Sequence, residues 1–150
     1  YPYDFNFIIN GGFENNSFIL NQTVENKNKV GMPISSGLHP YFYVDNANKK
    51  DIKFEFPGGI YINDNFDVWS KGGTTIIDNP NCPMVIKIPF IGSIILDVDI
   101  KYRKIWIWSL PGKDFICIEP MIGDINGLID DPFIIQPESS VIFNFKISLE

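Results

Sequence analysis

An antiparallel all-β fold of the sandwich type is predicted by three features of the sequence: period-two hydrophobic patterns, closely spaced turn signals and almost no helical periodicity. Ile94, Leu96, Val98 and Ile100 fall on one side of an extended chain, with Ile95, Asp97, Asp99 and Lys101 on the other. One side is expected to face a core and the other largely water. The same alternation predicts strands through Phe5, Phe7 and Ile9, through Ile52, Phe54 and Phe56, and through Val141, Phe143, Phe145 and Ile147. Turns are expected at Gly11-Gly12, Pro57-Gly58-Gly59, Lys71-Gly72-Gly73, Asn79-Pro80-Asn81 and Pro111-Gly112, a spacing that suits antiparallel connections. The polar stretch from Asn15 to Val30 carries Phe18, Ile19, Leu20 and Val24, so it reads as a strand with a loop. Without an internal repeat or a linker, residues 1–150 are expected to form a single β-sandwich domain.

Composition narrows the function classes. A 150-residue chain that is 45% hydrophobic and 15% aromatic can build a large core and still leave rings to line a cleft. Twelve Lys and Arg against 18 Asp and Glu give a net charge of −6 with no basic patch, which argues against a nucleic-acid partner. No apolar run approaches the ~20 residues needed to cross a bilayer, and Tyr1 opens directly into strand-like sequence, so a cytoplasmic protein without a membrane partner is expected. Cys82 and Cys117 have no CxxC spacing and only one histidine to join them, so they read as reduced thiols in or near the core, and no metal site is expected. Asp124-Ile125-Asn126-Gly127 lacks the spacing and closing glutamate of a calcium loop and reads as a surface turn.

Two short segments carry the chemistry. Gly37-Leu38-His39-Pro40-Tyr41-Phe42 holds the only histidine, and Phe115-Ile116-Cys117-Ile118-Glu119-Pro120 ends an apolar run on a carboxylate. Together they offer one acid and one base, the residue types a proton-shuttling sugar enzyme needs. Alone, His39 reads better as a hydrogen-bonded structural histidine near a turn. Glu119 shares strand parity with Phe115 and Cys117 and reads equally as an exposed carboxylate at a strand end. Tyr41 and Phe42 are candidates to meet a sugar's C–H face. Trp69, Trp106 and Trp108 could stack similarly, although the alternation of Trp106 and Trp108 with Ile105 and Ile107 favours packing between sheets for most of them.

Four segments, in order, resemble the aldose 1-epimerase (galactose mutarotase-like) family: Tyr1-Pro2-Tyr3-Asp4-Phe5; Met32-Pro33 followed by Gly37 to Phe42; Pro111 to Pro120; and Ile135-Gln136-Pro137-Glu138. The His-Pro-Tyr-Phe and Cys-Ile-Glu-Pro elements are the specific ones. The resemblance spans essentially the whole chain and implies the C-terminal part of a large antiparallel supersandwich, with its N-terminal strands absent. Members of that family interconvert the α and β anomers of an aldohexose by opening the ring, rotating about the C1–C2 bond and reclosing it, without a metal or organic cofactor. By resemblance Glu119 matches the base and His39 the acid, and a substrate-binding aspartate falls at Asp64 or Asp67, with Asp67 preferred.

The sequence departs from the family pattern in having no second histidine and, as its only arginine, Arg103. An unphosphorylated sugar is therefore expected, since a phosphate calls for arginines. Two rival readings follow from the same residues. One is a non-catalytic carbohydrate-binding or degenerate relative. The other is a structural β-sandwich, in which a chain beginning inside a strand pattern leaves sheet edges to be covered by a second copy, as a homo-oligomer, or by other polypeptide.

Overall fold

A computed structural model describes residues 1–58, 60–61 and 66–150. Among the described residues, thirteen strands are arranged in three sheets. The largest runs in the order β1 (Phe5–Glu14), β2 (Ser17–Asn26), β13 (Ser140–Leu149), β9 (Gly92–Val98), β8 (Met84–Ile88), β5 (Lys53–Phe56) and β6 (Ile60–Tyr61). A four-stranded sheet packs β4 (Tyr41–Tyr43), β11 (Phe115–Met121), β10 (Lys104–Trp108) and β7 (Thr75–Asp78), and a small one pairs β12 (Phe133–Ile135) with β3 (Met32–Ile34). Every pairing among the described residues is antiparallel. Among the described residues, helix is confined to a 3₁₀ turn at Asn46–Asp51, α1 (Phe66–Trp69) and α2 (Gly127–Asp130), and no helix is long and apolar enough to cross a membrane.

The core lies between the two larger sheets. Ile86, Leu96 and Phe143 enter it from one side and Ile105, Ile116 and Ile118 from the other, all without solvent exposure. Burying such side chains stabilises by roughly 1.5–3 kcal/mol each. The period-two pattern misleads about burial in two places: along β1, where Phe5, Phe7 and Ile9 all lie exposed, and at the end of β9, where Ile94, Leu96 and Val98 are buried as expected but Ile100 is exposed. The strand stops at Val98 because Asp99 turns the chain. Its side chain accepts from the Lys101 N–H at 3.1 Å, and its carbonyl accepts from Tyr102 N–H at 2.9 Å.

The first turn also falls elsewhere. β1 runs straight through Gly11-Gly12, paired with Leu20 and Ile19, and the hairpin closes at Asn15-Asn16. Asn15 supplies the left-handed backbone there, with φ of 52°, a conformation that asparagine tolerates better than most residues. The turns at Gly58, Gly72 and Gly112 do use glycine at positive φ. Both cysteines are free thiols, Cys117 buried and Cys82 partly so.

Candidate active site

The four-stranded sheet has two unlike faces. Phe42, Ile116, Ile118, Ile105 and Ile107 share the core side. Register places Tyr41, Tyr43, Phe115, Cys117, Glu119, Trp106 and Trp108 together on the opposite side. β4 is short because Pro40, which has no N–H, interrupts the ladder, yet the register persists beyond it. Gly37 bridges Met121, Leu38 N–H donates to Pro120 O at 3.0 Å, and Tyr41 pairs with Cys117. His39 therefore stands directly across from Glu119.

Gly37 makes that approach feasible. A Cβ at position 37 would lie 2.8 Å from the Pro120 carbonyl oxygen and collide with the Met121 thioether. With the strands this close, His39 Nε2 lies 3.3 Å from Glu119 Oε1. The two groups differ sharply in environment, since the imidazole is 50% exposed and the carboxylate 7%. Burial pushes the Glu119 pKa above the ordinary carboxylate value, opposed by the attraction of His39. Cys117, beside them, is pushed up to about 11 by burial and then by the Glu119 charge.

Aromatic rings hold the imidazole in place. Tyr41 stacks on His39 at 4.9 Å and 15°, while Trp108 meets it edge-on at 6.0 Å and 82°. Phe115 packs against both Tyr41 and Trp108, at 5.1 and 5.5 Å. Trp108 is itself anchored by its indole N–H, which donates to Gly72 O at 3.1 Å. The result is an aromatic wall beside a half-exposed imidazole and a buried carboxylate, suited to receive a ring with polar edges and C–H faces.

Some expected site residues take other places. Phe42 packs against the core, because on a strand it must point opposite to Tyr41. The rule that sends Phe42 inward brings Tyr43, Trp106 and Trp108 to the Glu119 side, so the interior role expected for Trp106 and Trp108 is corrected, whereas Trp69 is buried in the core. Asp67, on α1, is exposed and paired with Lys71 at 3.4 Å, a contact that does not tie it to His39 or Glu119. Asp64 lies outside the described residues. Gly37 and Phe115 were not foreseen as site residues, although both sit inside the two motifs. The turn expected at Asp124 is present, with Gly127 N–H donating to Asp124 O at 2.8 Å, and Asp124 salt-bridges Lys104 at 3.0 Å.

The architecture is the galactose mutarotase-like β-sandwich. A Synechocystis protein of known structure covers 100% of this chain at 23% identity and a TM-score of 0.83, and this chain covers 57% of that one. A galactose mutarotase related enzyme from Lactobacillus acidophilus covers 100% at 20% identity and a TM-score of 0.79, with 63% of its own length matched. An Escherichia coli K12 protein provisionally named an aldose 1-epimerase covers 99% at 16% identity and 0.76, with 61% of its length matched. The chain thus spans less than two thirds of each of these relatives, and at such identities the likeness is one of fold. No family model matches the sequence, and no curated protein does.

Proposed function

We propose that this chain carries the acid–base pair of an aldose 1-epimerase acting on an unphosphorylated aldohexose. The observation that carries the reading is the 3.3 Å approach of His39 Nε2 to Glu119 Oε1 on an aromatic-lined sheet face. Anomer exchange handles two oxygens bonded to the same carbon, the anomeric hydroxyl and the ring oxygen. A base and an acid for that task must therefore sit within a few ångströms of each other, as these do.

In the proposed mechanism the Glu119 carboxylate removes the proton of the anomeric hydroxyl as the bond from C1 to the ring oxygen breaks. Protonated His39 delivers its Nε2 proton to that oxygen, giving the open-chain aldehyde. Rotation about C1–C2 presents the other carbonyl face, and the reverse transfers close the ring and regenerate both groups. Burial raises the Glu119 pKa toward the working range, which makes it a better-matched base than an exposed carboxylate. Tyr41 and Trp108 supply apolar surface for the sugar's C–H face, and Tyr41 also fixes the imidazole plane.

Polarimetry of freshly dissolved α-D-glucose and α-D-galactose tests this reading. The protein is expected to accelerate relaxation to the anomeric equilibrium, and His39→Ala and Glu119→Gln each to lose at least about 100-fold of that acceleration, the lower end for a general acid or base. Folded protein with no acceleration, or variants that keep it, would overturn the assignment.

A further inference from the structure

We propose that His39 Nε2, Cys117 Sγ and a Glu119 carboxylate oxygen form a zinc site whose occupation shuts down the acid–base pair. One ring nitrogen of His39, the Cys117 sulfur and one Glu119 carboxylate oxygen lie within 4.8 Å of one another, on one face of the sheet, with Nε2 the nitrogen nearest Glu119. They are held there by register, with His39 across from Glu119 and Cys117 two residues along the same strand. Zinc takes nitrogen at about 2.0–2.1 Å, carboxylate oxygen at 2.0–2.2 Å and sulfur at 2.3 Å, usually tetrahedrally. Two such nitrogen and oxygen ligands then stand about 3.4 Å apart, and the imidazole and carboxylate here are 3.3 Å apart. Only the thiol needs to swing closer, by about 1.2 Å at most, to meet its tetrahedral distance of roughly 3.6 Å from the other two.

The chemistry of the donor set favours this ion. Imidazole, thiolate and carboxylate together match the mixed ligands of zinc sites, whereas magnesium and calcium prefer oxygen alone. A neutral imidazole with two anions balances the charge of the cation. The thiol proton leaves to the buffer on binding. His39 is half exposed, which gives the ion an entry path and leaves the fourth position to water, while Cys117 and Glu119 are buried. Nε2 and Oε1 are the atoms that the proposed mechanism uses, so a bound ion excludes proton transfer. The inhibitory half of the proposal rests on that function, whereas the binding half stands without it.

Cobalt substitution reads the binding half directly. One Co²⁺ per chain is expected to give a thiolate-to-cobalt charge-transfer band that Zn²⁺ displaces. The Cys82→Ser variant should keep the band, and Cys117→Ser should lose it. His39→Ala, which removes a half-exposed ring and leaves the core intact, should weaken Zn²⁺ by more than about 100-fold, beyond what loss of an outer-shell partner costs. A wild-type complex without the band, a band retained in Cys117→Ser, or undiminished affinity in His39→Ala each overturns the site. Mutarotation assayed with Zn²⁺ and again after chelation reads the other half: a rate that falls and recovers supports inhibition, and a rate indifferent to saturating zinc overturns it. A cobalt band with no mutarotation at all, chelator present, would refute the proposed activity and leave the metal site standing, whereas mutarotation without the band would do the reverse.

Discussion

Replacing Gly37 by alanine tests whether close strand approach holds His39 against Glu119. The added Cβ would meet the Pro120 carbonyl oxygen at 2.8 Å, whereas ordinary contact begins at 3.4 Å, so the two strands must part by about 0.6 Å. The Leu38 N–H bond to Pro120 O, now 3.0 Å, would stretch to about 3.6 Å, a length at which it no longer counts as a hydrogen bond. Losing that bond costs about 0.5–1.5 kcal/mol and displacing the Met121 side chain a similar amount, for a total of about 1–3 kcal/mol. In a chain of this size each kcal/mol lowers Tm by about 2–4 °C, so a fall of about 2–12 °C is expected. His39, two residues further along, moves with the strand and loses its direct contact with Glu119. Its ring proton resonances, unique because it is the only histidine, should shift accordingly. Gly12→Ala is the control, since nothing lies within 4 Å of a Cβ there. Adding Met121→Ala removes the flexible obstacle but not the carbonyl, so it should not restore the histidine signals. A Gly37→Ala protein melting within about 1 °C of the parent, with unchanged histidine resonances, would refute this account of the site.

Three further outcomes are expected. Because burial raises the Glu119 pKa, the folded state binds that proton more tightly than the unfolded one, so stability falls as pH rises through the carboxylate range; Glu119→Gln should melt above the parent at pH 7, as stability buffers can show, and converge with it below about pH 4. The Cys117 thiol, raised from 9.0 to about 11, contributes stability that is fully present below pH 9 and lost toward pH 11, about 2–3 kcal/mol at roughly 1.4 kcal/mol per pKa unit; urea titrations at both ends of that window should show this decline in the parent and a smaller one in Cys117→Ala. Phe143, fully buried against Tyr102 and Phe133, should cost about 3–5 kcal/mol on truncation to alanine, against far less for exposed Ile142, and equal costs by chemical denaturation would count against the core described above.

Strands were legible because burial on one face writes itself as alternation, and the segments around Phe54, Leu96 and Phe143 are buried as their pattern required. Alternation says nothing about where a strand stops. Ile100 continues the pattern in sequence but lies past an aspartate-initiated turn, and Gly11-Gly12 looks like a hairpin but sits in mid-strand. The two motifs carrying His39 and Glu119 were visible, yet their juxtaposition was not, because 80 positions separate them and only the ladder brings them across from each other. The sorting of Tyr41 from Phe42 was available from parity with His39. The facing of Trp106 and Trp108 was not, since it depends on the register of β10 against β11.

The same ladder makes the spacing of the His39 imidazole and the Glu119 carboxylate a lattice constant of the sheet. Cross-strand neighbours sit about 4.5–5.5 Å apart at Cβ whatever the surrounding loops do, so the loops around the sheet could be lengthened, shortened or exchanged without changing which side chains face each other. The arrangement is correspondingly intolerant of a change in count. One residue inserted between Gly37 and Tyr41 would invert the parity of the segment and send the imidazole through the sheet to the isoleucine side, leaving Glu119 with a backbone where its partner had been.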